Sequence, residues 1–84
     1  MGFYACKECE AIIIGESTVG MLLAEGESLH KEGLRRDQNK MIQALNKYQE
    51  AWTVLKANNG HEECLRRVDD EYYKLYRSLQ GSRT

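Results

Sequence analysis

Every cysteine of this 84-residue chain falls in one of two short pairs, Cys6-Lys-Glu-Cys9 near the start and His61-Glu-Glu-Cys64 near the end. A Cys-x-x-Cys joined to a His-x-x-Cys is the ligand set and local spacing that tetrahedral zinc takes, thiolates and an imidazole. His61 and Cys64 follow the turn sequence Asn58-Asn59-Gly60 and open a helical pattern, whose positive end favours a thiolate. Three features weigh against a metal. The pairs lie about fifty residues apart, well beyond compact finger spacing. Glu10, not a glycine, follows Cys9, so no tight knuckle is encoded. Cysteine also serves as a small core hydrophobe.

Residues 3–14 decide the matter. A straight helix there, in an up-down-up-down bundle, leaves Cys6 about 15–20 Å from His61. An irregular cap over the top of three helices brings the pairs together. On balance the expectation is no metal and no cofactor, with the zinc set Cys6, Cys9, His61 and Cys64 as the alternative.

No other constellation names a reaction. Cys-x-x-Cys in the thioredoxin manner needs a strand–helix setting that the pattern lacks. There is no Ser/His/Asp set, no glycine-rich phosphate loop and no carboxylate pair on an apolar face, and His30 reads as a boundary residue. The expectation is a protein that is not an enzyme. Basic and aromatic residues mingle after Cys64: Arg66, Arg67, Tyr72, Tyr73, Lys74, Tyr76 and Arg77. Tyr72 belongs to the core by spacing, whereas Tyr73 and Tyr76 are exposed aromatics of the type enriched at interfaces. Arg66, Arg67, Tyr73, Tyr76 and Arg77 are therefore the expected partner-binding residues. Asp69, Asp70 and Glu71 lie among them and the net charge is −1, which argues against nucleic acid and anionic membrane.

The elements that must position these residues are helical. Proline is absent, and apolar residues recur near every 3.6 positions with no alternating run to suggest a strand. The clearest helix spans Gln38 to Ala57, with Met41, Ala44, Leu45, Tyr48, Ala51, Trp52 and Leu55 on one stripe and Asp37 as N-cap. Asn58-Asn59-Gly60 ends it with residues that tolerate left-handed geometry. The last helix carries Leu65, Val68, Tyr72, Leu75 and Leu79, with Asn59 as cap and Glu62 completing a capping box. A weaker helix runs from Ser17 to about Glu32, in which Gly26 permits close helix approach, and Gly33 stops it. Residues 34–37 form an exposed, basic connection.

Ala24-Glu-Gly26 through Leu29 and Gly33, then Ala44-Leu45-x-Lys-Tyr48-x-x-Ala51-Trp52, resemble the paired helices of tetratricopeptide repeats. Asn58-Asn59 with Glu62 and Tyr72-Tyr73-Lys-Leu75 is similar to the start of a next repeat. A tight turn and a proline usual in that family are missing. The same residues, with Tyr48-Gln-Glu-Ala51 and Leu65-Arg-Arg67, resemble a three-helix microtubule-interacting-and-transport domain. The likeness covers roughly residues 24–79. Both families imply protein binding in a helix groove; one such unit cannot form a solenoid, which needs about three repeats.

Together these observations predict a single all-α domain over 1–84, a small antiparallel bundle of three to four helices. Residues 1–15 form a short helix or cap, and 80–84 a frayed tail. A chain this short buries only about 60–65% of its unfolded surface, so a partner or staple matters. The predicted function is a non-catalytic adaptor or small inhibitor that binds another protein, or itself as a homo-oligomer, through its last helix. A zinc-stabilised domain associated with nucleic acid is the alternative. No signal peptide or membrane span is expected, and the odd cysteine count argues against a disulfide framework, which gives a cytoplasmic expectation.

Overall fold

The computed structural model describes residues 7–33 and 37–81. In chain order these form α1 (Lys7–Glu10), β1 (Ile13–Ile14), β2 (Ser17–Thr18), α2 (Val19–Gly33), α3 (Gln38–Ala57) and α4 (Glu62–Gly81). Phe3 and Cys6, residues 34–36 of the basic connection and residues 82–84 of the predicted tail lie outside the described residues, whereas Gln80 and Gly81, expected in that tail, belong to α4.

Three long helices carry the fold, as the periodicity predicts, and α3 is central. Met41, Ala44, Tyr48, Ala51 and Leu55 are its buried residues, a stripe at alternating steps of three and four. Asp37 caps it: extended in backbone, its carboxylate accepts a hydrogen bond from the Lys40 amide at 3.2 Å. On one side α3 meets α2. Lys40 pairs with Glu32 and Lys47 with Glu25, each at 3.4 Å, so the sequence numbers run in opposite senses and the helices are antiparallel. Gly26 sits between these pairs, and a Cβ there would lie 2.9 Å from the Tyr48 ring. The close approach expected of Gly26 is thus present. On the other side α3 meets α4, where Val68 and Leu75 are fully buried. Leu45, expected in the core stripe, is only half-buried at the edge of this second interface.

The expectation of no strand is overturned at the N-terminal end. β1 and β2 pair antiparallel, Ile13 with Thr18 and Ile14 with Ser17. Gly15, the first residue of the two-residue turn, has φ +60°, the position that favours glycine in a tight hairpin. The cause of the misreading is brevity. Two residues per strand cannot display an alternation, and Ile12-Ile13-Ile14 reads as one apolar run. Ser17 and Thr18 consequently leave the helix predicted to begin at Ser17. Thr18 instead accepts the Met21 amide on its Oγ1 at 3.3 Å and starts α2 at Val19. A helix through residue 14 is likewise excluded, because α1 stops at Glu10. Within the described residues the N-terminal segment is a one-turn helix and a hairpin, folded as a cap. No described helix is long and apolar enough to cross a membrane.

Candidate functional site

The cap and the α3–α4 turn meet at one place, and local geometry explains how. Asn59 adopts φ 58° just past the end of α3. The Gly60 amide then donates to the Leu55 carbonyl at 2.6 Å and the Asn59 amide to the Lys56 carbonyl at 3.3 Å. This pair of bonds is a Schellman motif, which satisfies the last carbonyls of α3 and reverses the chain. Asn59 is spent on that role. α4 therefore starts at Glu62, with His61 at its N-cap position and Cys64 in its first turn, and the predicted Asn59–Glu62 capping box is replaced.

From the opposite direction α1 delivers Cys9, which is 2% exposed, beside Cys64, which is 5% exposed. The ligand atoms of Cys9, His61 and Cys64 all lie within 4.8 Å of one another. Across a separation of 52 positions in sequence, the His61 backbone amide donates to Cys9 Sγ at 3.4 Å. The His61 ring, 56% exposed, has its Nε2 3.6 Å from Glu8 Oε1. Three of the four residues in the zinc set are thus adjacent; Cys6 lies outside the described residues, three positions before Cys9. Two buried thiols and a rim imidazole make a small donor cluster, dry on one side and open to solvent on the other. Spacing within Cys-x-x-Cys and His-x-x-Cys signals the donors but cannot signal Glu8 or the amide-to-sulfur bond.

The second group of predicted residues lies along α4. Arg66, Arg67, Tyr73, Tyr76 and Arg77 are all exposed, Tyr73 by 49% and Tyr76 by 41%. Tyr72, half-buried, links this outer surface to the core. Its ring stacks on Tyr76 at 6.3 Å with an interplanar angle of 7°, and meets Tyr73 edge-on at 5.5 Å. Arg77 Nε donates to the Tyr73 carbonyl at 3.4 Å. Beside the ladder, two shallow clefts follow the α3–α4 seam. One is lined by Tyr48, Gln49, Trp52, Asp69, Tyr72 and Tyr73, the other by Ile42, Leu45, Tyr76 and Leu79 with Gln38 and Gln80. Trp52 and Ile42 were not among the predicted contact residues. The i, i+7 spacing of Leu45 and Trp52 on the flank of the α3 stripe is the signal that could have marked that edge. Lys56 Nζ lies 5.2 Å from the centre of the Trp52 ring, a cation–π contact on the same side. His30 is half-buried near the end of α2, as a boundary residue would be.

Comparison of the chain with protein-family models, curated proteins and solved structures found no match. The functional reading rests on geometry.

Proposed function

We infer that this chain is a non-catalytic protein-interaction module, an adaptor or small inhibitor, that binds through the exposed face of α4 and the adjoining α3–α4 seam. The observation that carries the reading is the Tyr72–Tyr73–Tyr76 ladder, in which two large aromatic rings stand in solvent on a surface continuous with apolar clefts. Aromatic side chains offer much contact area for little loss of side-chain entropy, and arginine is their usual companion at binding centres. Arg66, Arg67 and Arg77 on the same helix suit a helical segment of another protein that carries acidic residues beside its apolar stripe. The resemblance to helix-groove binders points the same way. Asp69 and Asp70 interrupt the arginines, so a continuous basic track for nucleic acid is not part of the reading.

The test is a double substitution, Tyr73→Ala with Tyr76→Ala. Association, either with a partner captured by the wild-type chain or with a second copy followed by sedimentation, is expected to fall at least tenfold, about 1.4 kcal/mol, with the helical circular-dichroism signal unchanged. A double variant that associates as wild type would remove α4 from the account.

A further inference from the structure

The structure points to a zinc site that fastens the N-terminal cap to the start of α4, and we propose Cys9, His61 and Cys64 as its ligands. The proposal is independent of the α4 binding face. Its first support is donor placement. In tetrahedral coordination with Zn–S near 2.3 Å and Zn–N near 2.0 Å, donor atoms stand about 3.5–3.8 Å apart. The three donors already lie within 4.8 Å of one another, so a contraction of about 1 Å completes the geometry. His61, on the exposed rim, has the freedom to supply it.

The second support is the surroundings of the sulfurs. The His61 amide aims at Cys9 Sγ across 3.4 Å, a backbone N–H to sulfur contact that stabilises a metal-bound thiolate and serves no helix or strand. Cys64 sits in the first turn of α4, where the positive end of the helix dipole favours negative charge. Glu8 Oε1, 3.6 Å from Nε2 of His61, would on a small approach accept a hydrogen bond from that nitrogen and leave Nδ1 for the metal, the carboxylate–histidine–metal arrangement. Two thiolates and one imidazole suit zinc among common divalent ions. The core beneath the cap is small, which is the setting where such a staple matters.

The experiment uses the full chain, purified under reducing conditions, with metal content measured and apo protein titrated with zinc and with cobalt. One zinc per chain and a thiolate-to-cobalt charge-transfer band are expected. His61→Ala removes a donor without opening a cavity in the described core. It should weaken zinc by more than about 100-fold while helicity persists, and Glu8→Gln should weaken it by about tenfold. Failure of the chain to take up zinc stoichiometrically, or zinc affinity unchanged in His61→Ala, would overturn the site.

Discussion

The two interfaces of α3 are built on opposite plans. Toward α2, a glycine faces a tyrosine: Gly26 lets the backbones close until the Tyr48 ring fills the space, and that side chain is fully buried. Toward α4, large side chains meet at the edges. Leu45, Trp52, Tyr72 and Leu79 are each only partly covered, and clefts remain between the helices. A small residue at a helix contact yields a closed seam. Large residues on both sides hold the helices apart and leave apolar surface for something else to cover. The closed seam provides stability, and the open seam is where the proposed association would act.

The sharpest way to break this contrast is Tyr48→Ala, which empties the closed seam. A loss of about 3–5 kcal/mol is expected, enough to unfold much of the population, and a denaturant midpoint measures it. Gly26→Val attacks the same seam from the other side by overpacking. It should cost about 1–3 kcal/mol, read as a lowered melting temperature. In the open seam Leu45→Ala should cost less, about 1–2 kcal/mol, because half of that side chain already faces solvent. If Leu45→Ala proved as costly as Tyr48→Ala, the two seams would be energetically alike and the contrast would fail. Smallest of all is the stability effect of Tyr73→Ala with Tyr76→Ala, within about 0.5 kcal/mol by thermal melting. Its consequence should appear in association alone.

The helices were largely legible in the sequence, and the reasons are local. The stripe on α3, its Asp37 cap and the left-handed residue after it all depend on contacts within five positions. Gly26 could be read as a contact because its cost within a helix needs a compensating approach. The hairpin was hidden because its strands are too short to establish a period. The start of α4 was misplaced because Asn59 suits two roles, N-cap of the next helix or left-handed end of the last, and the backbone bonds of Gly60 favour the second. For the donor cluster, spacing identified Cys9, His61 and Cys64 as candidates. Their meeting depends on a hairpin that turns the N-terminal segment back over the bundle, which no pattern within either pair encodes.

The bond from the His61 amide to Cys9 Sγ also bears on the order of folding. Closing 52 residues of flexible chain costs about 3.5 kcal/mol of entropy, more than one amide–sulfur contact returns. Once α2, α3 and α4 have assembled, most of that loop is already ordered and the closure is nearly free. The cap is therefore expected to dock last in refolding and to depart first in local opening. The His61 amide is its natural reporter: its hydrogen exchange should run ahead of the amides in the middle of α3.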